Sequence, residues 1–266
     1  MRILVVDAFT DAPWSGNPAG VCVVDREVDA AWMQAVAAEL KHSETAFVEP
    51  SSTPDADFGL RWFTPGAEVA LCGHATLATA HVLFERDGPR PIRFATRSGV
   101  LTVRPEENGL VSMDFPALPP EPSPAPAGLV TALGAEPTWV GRSRFDVLAE
   151  VADEDTVRRL SPDITALADV EARGVIVTAV ADASSPYDFV SRFFAPTVGV
   201  PEDPVTGSAH CVLAVHWADR LGPGDGAVLT GAQLSARGGV VRVRRRGDRV
   251  DLVGRAVTVL DGVLAV

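Results

Sequence analysis

Cysteine is scarce in this sequence. The 266 residues include three cysteines, Cys22, Cys72 and Cys211, and no two of them form a Cys-x-x-Cys pair. An odd and sparse set of cysteines provides no disulfide framework and is typical of proteins from a reducing cytoplasm. Without a Cys-x-x-Cys pair, a zinc site is not predicted from the cysteines.

Long apolar runs and positive charge are also lacking. No stretch approaches the ~18 apolar residues that span a bilayer, and the N-terminus reaches Asp7 too early for a signal peptide. The formal net charge is −12. Because such a field repels phosphate, general binding to nucleic acid or to an anionic membrane is not expected. The arginines of residues 242–249 form either a basic patch or the solvent face and turn of a β-hairpin, and their period of two favours the hairpin.

Several catalytic signatures are missing. The sequence has no Gly-x-Ser-x-Gly elbow, no phosphate-binding P-loop and no His-Glu-x-x-His pair. His74 and His81 are seven residues apart, and His210 and His216 are six apart. Neither spacing places both rings on one helix face as an i, i+4 pair would, so no metal site is predicted.

Proline is concentrated in one segment, which runs from residue 116 to residue 128. Proline fixes φ and lacks an N–H, so this segment cannot form a helix or a central strand. We therefore predict a first half-domain at 1–116, a proline-rich linker at 117–128 and a second half-domain at 129–266.

The two halves carry similar motifs in the same order. The offset between them drifts slowly, as small loop insertions would produce, and three ordered matches predict the internal duplication of one supersecondary unit. The matched pairs are Arg61-Trp-Phe-Thr-Pro65 with Arg192-Phe-Phe-Ala-Pro196, Cys72-Gly-His-Ala-Thr76 with Thr206-Gly-Ser-Ala-His210, and the arginine-glycine segments that begin at Arg97 and Arg237.

Hydrophobic patterning predicts more strands than helices. Helices are predicted at 30–40, 75–86 and 209–220, and the last two are apolar almost all round, so they should be buried. These features favour an α+β fold in which a strand-rich sheet surrounds one buried helix, repeated twice. The predicted strands of the first half are 3–6, 19–24, 47–48, 60–63 and 100–103.

Gly73 and Gly207 each stand just before a predicted buried helix. The N-terminus of a helix offers free N–H groups and partial positive charge, so it suits an anion. If the two helix starts share a cleft, they could hold a carboxylate or an enolate-like charge. The alternative is two ordinary helix caps with glycines in tight turns. Ser208 is a candidate either for substrate binding or for capping alone.

Ionisable residues stand close to these helix starts. Glu44 lies between a predicted helix and a predicted strand, where burial would raise its pKa toward that of a general acid/base; the alternative is an exposed loop glutamate. His74 is a candidate proton shuttle or a capping histidine, and Asp203 a second carboxylate or a charge that favours the helix dipole. Cys72 is either an acidified thiol or a small residue packed under a turn.

The motifs of the chain, taken in order, resemble the phenazine-biosynthesis-like (PhzF-like) isomerase family, which shares the diaminopimelate-epimerase fold. They cover nearly the whole sequence. The matching segments are Asp7-Ala-Phe-Thr10 with Gly16-Asn-Pro-Ala-Gly-Val21, Ser43-Glu-Thr-Ala-Phe47, Arg61-Trp-Phe-Thr-Pro65, Cys72-Gly-His-Ala-Thr76 and Gly199-Val-Pro-Glu-Asp-Pro-Val-Thr-Gly-Ser-Ala-His210.

The resemblance implies two pseudo-symmetric domains, each a β-barrel-like sheet around a central helix, with the site in the cleft between them. It implies that Glu44 is the acid/base, that no cofactor is used and that the protein is a homodimer acting on a small carboxylated molecule. Related epimerases use two cysteines as base and acid, but the second motif here offers Asp203 and no cysteine. The residues that the resemblance places at the cleft are Gly73, His74, Asp203, Gly207 and Ser208.

Two other functions stay open at this point. One is an amino-acid racemase or epimerase, which an assay of chirality would separate from an isomerase. The other is a binding module that keeps the fold without catalysis. The joint presence of Glu44, His74 and Asp203 argues against the binding module, because a scaffold without activity needs none of the three.

Overall fold

The computed structural model describes residues 1–24, 28–222 and 224–265 and has a strand-rich α+β architecture. The chain forms two compact units. Unit 1 combines Met1–Phe115 with the segment from Val253 onward, and unit 2 is Pro116–Leu252. The expected α+β class is confirmed, with helices and strands interspersed along both units.

The secondary-structure elements follow one another in a regular order. The strands are β1 Arg2–Ala8, β2 Asn17–Val23, β3 Glu44–Pro50, β4 Phe58–Phe63, β5 Glu68–Val69, β6 Ile92–Thr96, β7 Gly99–Pro105, β8 Val111–Pro116, β9 Glu121–Pro122, β10 Trp139–Arg142, β11 Asp146–Glu150, β12 Gly174–Val180, β13 Phe189–Phe194, β14 Val228–Gln233, β15 Gly239–Arg246, β16 Arg249–Gly254 and β17 Ala256–Val263. The helices are α1 Ala30–Leu40, α2 Gly73–Asp87, α3 Leu129–Leu133, α4 Glu154–Arg159, α5 Ile164–Leu167 and α6 Gly207–Leu221.

Unit 1 is a mixed sheet built around α2. Its strands pair in the order β17-β1-β2-β3-β4-β6-β7-β8, with β2/β3 and β4/β6 parallel and the remaining pairs antiparallel. α2 packs against β1, β2, β3 and β17, and its residues 74–80 are buried without interruption. A helix that is apolar all round needs such enclosure, which confirms the burial that the sequence predicts.

Unit 2 repeats this arrangement around α6. Its strands pair in the order β9-β10-β11-β12-β13-β14-β15, with β11/β12 and β13/β14 parallel and the remaining pairs antiparallel. Trp217 of α6 stacks on Phe189 of β13, and its indole N–H donates to the hydroxyl of Thr178 in β12 over 3.0 Å. These contacts hold α6 against the middle of the unit 2 sheet.

Equivalent ion pairs confirm that the two units are pseudo-symmetric. Arg61 in β4 makes a bidentate bond to Glu68, at 2.9 and 3.1 Å, and Arg192 in β13 makes one to Glu202, at 2.7 and 3.0 Å. Each guanidinium also lies over the phenylalanine two residues later, 5.2 Å from Phe63 or 5.0 Å from the corresponding ring of unit 2. A planar guanidinium suits both contacts at once, so the Arg-x-Phe motif serves one structural purpose twice.

The unit boundaries differ from the expected halves at the C-terminus. The junction after residue 115 lies beside the boundary expected at 116, but β17 pairs with β1 in unit 1 rather than joining unit 2. In unit 2 the corresponding edge position is taken by β9, which lies inside the proline-rich segment 117–128 and pairs with β10. Proline is compatible with an edge strand, because one side of such a strand needs no N–H donors.

The arginine-rich run forms a β-hairpin, as its period of two predicts. β15 and β16 are joined by a turn at Gly247, where φ is +62°. Arg245 pairs with Asp219 of α6, and Arg246 makes a bidentate bond to Asp251 across the turn. Within the described ranges, no helix has the length and apolar character that crossing a membrane requires.

Candidate active site

Glu44 is placed by the end of α1 and the start of β3. α1 ends at Lys41, which adopts a left-handed conformation (φ +56°) and whose N–H donates to the carbonyl of Ala37 over 3.1 Å. The chain reverses within two residues, and Glu44 opens β3 opposite Ala19 of the parallel strand β2. Its carboxylate is 20% exposed. Glu44 is therefore a half-buried strand residue, in contrast to the alternative of an exposed loop glutamate.

The segment before β2 supports this corner of the sheet. Gly16 has φ +68°, and a Cβ placed on it would lie 2.2 Å from the carbonyl oxygen of Ala8. Only glycine fits such a backbone without displacement. Asn17, the next residue, is fully buried, and its Oδ1 accepts from the hydroxyl of Ser43 over 3.4 Å. The Gly-Asn motif thus ties the start of β2 to the residue before Glu44.

The start of α2 brings a thiol and an imidazole to the same corner. Cys72 is the N-cap residue, and Gly73 is the first residue of the helix. In the part of the chain that the structure describes, the Cys72 side chain makes no capping bond to the first turn. His74 Nδ1 lies 3.5 Å from Cys72 Sγ, and His74 Nε2 lies 3.4 Å from Glu44 Oε2. These contacts join Cys72, His74 and Glu44 into one cluster.

His74 is neutral at physiological pH. Burial lowers the pKa of its imidazole to about 3, and the nearby His42 lowers it further. Desolvation thus outweighs the attraction of the Glu44 carboxylate, so the 3.4 Å contact joins a neutral ring to the carboxylate and is not an ion pair. With the proton on Nε2, the ring faces Glu44 with its N–H and accepts at Nδ1 from the Cys72 thiol.

Unit 2 carries its own polar cluster at the start of α6. Thr206 is the N-cap residue, and its hydroxyl donates to Asp203 Oδ2 over 2.5 Å. The fully buried Gln233 accepts from the Thr206 N–H over 2.9 Å and donates to the Asp203 carbonyl over 2.7 Å. Gln233 also donates to the Thr206 hydroxyl over 3.2 Å. One amide side chain therefore fixes the loop that carries Asp203 into Gly207, the first residue of α6.

Ser208 is fixed by a separate pair. Its hydroxyl accepts from Arg173 over 2.9 Å, and the same guanidinium makes a bidentate bond to Asp146 at 2.8 and 2.6 Å. Asp146 is fully buried, and burial raises the pKa of its carboxyl although Arg173 acts to lower it. Ser208 is thus held in place by side chains from the β11 and β12 region of unit 2.

The duplication shows that the two units are chemically unequal. Arg61 pairs with Phe47 across β3 and β4, and Arg192 pairs with Val177 across β12 and β13. Counting three residues back along each strand places Glu44 opposite its equivalent, Gly174. The carboxylate of unit 1 therefore has no counterpart at the matching position of unit 2. By the same matching of motifs, Cys72 corresponds to Thr206, and His74 to Ser208.

The structure assembles the predicted site residues into two groups. Glu44, His74 and Gly73 lie together in unit 1, whereas Asp203, Gly207 and Ser208 lie together in unit 2. Both glycines are the first helical residues rather than the residues before the helix. The roles of these residues in binding or catalysis stay predictions.

Three structural partners of these residues were not predicted from the sequence: Gln233, Arg173 and Asp146. A glutamine at the end of the otherwise apolar strand β14 is a usable signal, since a buried amide needs partners. Arg173 and Asp146 are 27 residues apart, and no local pattern links them.

Comparison with known proteins covers the whole chain. The family described as "Phenazine biosynthesis-like protein" (PhzC-PhzF) matches residues 6–262. A protein of Pseudomonas aeruginosa described as an uncharacterized isomerase is 49% identical over 266 residues, covering 99% of this chain and 98% of that protein. A protein of Halalkalibacterium halodurans with the same description is 46% identical over 262 residues, with coverage of 97% and 96%.

Solved structures agree with this result. A PhzF family protein of Enterococcus faecalis is similar with a TM-score of 0.91 at 38% identity, covering 98% of this chain and 97% of that one. A hydroxyproline epimerase of Agrobacterium vitis has a TM-score of 0.64 at 11% identity, with coverage of 98% and 91%. The second similarity concerns the fold alone, and it confirms the expected diaminopimelate-epimerase type.

The ordered motifs, the repeated topology around α2 and α6 and the full-length similarity to named isomerases all lead to one assignment. The family resemblance that the sequence motifs carry is confirmed by the family match and by the relatives. The chain belongs to the phenazine biosynthesis-like (PhzF-like) family, and it is an isomerase.

Proposed function

We propose that this isomerase works without a cofactor and moves a proton on a small carboxylated substrate, with Glu44 as the acid/base. The observation that carries the proposal is the position of the Glu44 carboxylate. It is partly accessible, and its Oε2 lies 3.4 Å from Nε2 of the buried His74 at the start of α2. A general base needs both access to the substrate and a defined orientation, and this position offers both.

In the proposed reaction, Glu44 removes a proton from a carbon next to an unsaturated or carbonyl-conjugated group. The electron pair moves along the conjugated system, and the proton returns at another carbon. Glu44 itself returns it, or His74 together with Asp203. The double bond shifts and the substrate formula is unchanged, so no external oxidant or reductant is required.

The helix starts are proposed to stabilise the charge that develops. The N–H groups of the first turn of α2 precede the first intrahelical bond, in which Thr76 N–H donates to Cys72 O. Such groups bind anions, and their partial positive charge favours an enolate-like intermediate. In unit 2, Gly207 and Ser208 occupy the corresponding start of α6, and we assign them to substrate binding together with Gly73.

The positions of the thiols favour an isomerase over a two-thiol racemase. Racemisation by two thiols needs a base and an acid at equivalent helix starts. Cys72 occupies that position in unit 1, but its equivalent in unit 2 is Thr206. Cys211 lies inside α6, where burial raises the pKa of its thiol to about 12. A thiol of this kind stays protonated and buried, so it does not serve as the second group.

Deuterium uptake from D2O tests the proposal. The enzyme is incubated with a panel of small cyclic and unsaturated carboxylic acids, dihydro-hydroxyanthranilate among them, and mass spectrometry follows the label. We expect uptake with at least one compound, and its loss in Glu44→Gln. The matched control is Glu49→Gln, a partly buried glutamate of the same strand that accepts from the Val28 N–H over 3.2 Å.

The results separate the rival functions. Uptake in wild type and in Glu49→Gln, but not in Glu44→Gln, supports Glu44 as the proton-transfer group. Equal uptake in Glu44→Gln removes this residue from the mechanism. Label at a stereocentre with loss of optical activity would identify a racemase or epimerase. Binding of the panel compounds without uptake would identify a binding module.

The resemblance further supports a homodimer in the cytoplasm. Analytical ultracentrifugation of the purified chain tests the dimer, and a species with the mass of a single 28.0 kDa chain across the concentration range would contradict it.

A further inference from the structure

Glu44, Cys72 and His74 offer three different metal-binding atoms in one place. A carboxylate oxygen, a sulfur and an imidazole nitrogen, one from each residue, lie within 4.8 Å of one another. Within the described residues, this is the group of histidine, cysteine and acidic side chains with the geometry to hold a metal ion. The residues come from β3 and from the start of α2, so no sequence spacing predicts the cluster.

The distances suit a small tetrahedral ion. With Zn–S near 2.3 Å and Zn–N or Zn–O near 2.0–2.2 Å, neighbouring ligand atoms lie about 3.3–3.6 Å apart. The Cys72 Sγ to His74 Nδ1 distance is 3.5 Å, and the His74 Nε2 to Glu44 Oε2 distance is 3.4 Å. Because the Glu44 side chain is partly exposed, it can rotate so that one atom of each residue faces the ion.

A second observation concerns His74. Its side chain is 94% buried, taken from 6% exposure, and its Nε2 makes no hydrogen bond of normal geometry to any group that the structure describes. A buried polar atom without such a bond is costly, and an ion would satisfy it. The net charge of −12 adds a long-range attraction for cations.

We propose that Glu44, Cys72 and His74 form a binding site for Zn²⁺, with water in the fourth position. Thiolate and imidazole ligands select zinc over the hard cations Mg²⁺ and Ca²⁺. On binding, Cys72 loses its thiol proton to the solvent and bonds as the thiolate, and His74 bonds through one neutral ring nitrogen. Three protein ligands and an open position give a site that is occupied reversibly.

One consequence rests on the proposed function. A zinc ion on Glu44 holds the carboxylate that would otherwise accept the proton of the substrate. Zinc is therefore an inhibitor of the isomerase and not its cofactor. Because metal binding is measured without substrate, it can be tested even if Glu44 proves to have no role in proton transfer.

The test uses the full chain, reduced and freed of metal with a chelator. Co²⁺ is the optical probe, because a thiolate bound to Co²⁺ gives a near-ultraviolet charge-transfer band. Zn²⁺ affinity is then measured by competition with a chromophoric indicator. The variants are Cys72→Ser and Glu44→Gln. The matched control is Cys22→Ser, which removes another buried thiol of the same unit.

We expect the band in wild type and in Cys22→Ser, with one ion per chain, and its loss in Cys72→Ser. Zinc affinity should fall at least about 100-fold in Cys72→Ser, because even changes outside the ligand set weaken metal sites 10–100-fold. Glu44→Gln, at a partly exposed position, should weaken it at least about 10-fold; it gives the result if Cys72→Ser fails to fold by circular dichroism. Absence of the band in wild type, its persistence in folded Cys72→Ser or unchanged affinity in Glu44→Gln overturns the proposal.

Discussion

Removing the hydrogen bonds of Gln233 should loosen the start of α6 more than any similar change at a glutamine with one bond. Gln233 makes three bonds, to the Thr206 N–H, the Asp203 carbonyl and the Thr206 hydroxyl, at 2.9, 2.7 and 3.2 Å. Methionine has the same length and nearly the same volume but makes none of them. Gln233→Met therefore removes the bonds with little change in packing.

The expected cost follows from the number of bonds. Each net hydrogen bond contributes about 1 kcal/mol, and a buried donor left without a partner costs ~1–3 kcal/mol. We expect Gln233→Met to lower the free energy of unfolding by about 3 kcal/mol. The control is Gln34→Met, because Gln34 makes one bond, to the Thr64 carbonyl over 2.9 Å, in a partly buried site. That variant should lose about 1 kcal/mol.

Two measurements check this difference. Urea unfolding gives the free energies, and hydrogen exchange read by mass spectrometry reports on the peptide that contains Thr206. A local loss of about 3 kcal/mol corresponds to roughly 100-fold faster exchange of the Thr206 amide, at about 1.4 kcal/mol for each factor of ten. Equal losses in Gln233→Met and Gln34→Met, with unchanged exchange at Thr206, would refute the role given to Gln233.

Two further predictions concern stability. Burial lowers the pKa of His210 to about 4 from 6.5; the unfolded state therefore takes up the proton first, and stability falls as the pH drops from about 6.5 to 4. Between pH 8 and pH 5, His210→Asn should lose about 2 kcal/mol less than wild type in urea unfolding, and an identical loss would contradict this pKa. Gly16→Ala, which forces a Cβ to 2.2 Å from Ala8 O at φ +68°, should cost about 2–3 kcal/mol. The control Gly66→Ala, where nothing lies within 4 Å, should change stability by less than about 0.5 kcal/mol in the same assay, and similar costs would contradict the steric argument.

Local patterns predicted the elements of the fold well. α1 has the predicted bounds, and the two buried helices extend the predicted ranges by one or two residues at each end. These segments are long and strongly periodic, so side-chain burial fixes their type. The duplicated motifs likewise predicted two similar units, because the same Arg-x-Phe contact serves both.

Long-range pairings could not be predicted in the same way. β17 lies beside β1, and the two are separated by almost the whole chain, so no local pattern assigns the C-terminal strand to unit 1. The contact between Glu44 and His74 depends on the register of β3 and on the start of α2, which only the fold brings together. The sequence marked both residues through family motifs, but it did not indicate that Cys72 lies against the same imidazole.

The most direct test of the central claim compares binding and catalysis in one variant. With the substrate found by deuterium uptake, the rate of exchange and the dissociation constant are measured for wild type, Glu44→Gln and Glu49→Gln. The account predicts that Glu44→Gln loses about 10²–10⁴-fold in rate, the usual contribution of a general acid/base, while its dissociation constant stays close to that of wild type and Glu49→Gln behaves as wild type. A Glu44→Gln enzyme with the wild-type rate would contradict the account.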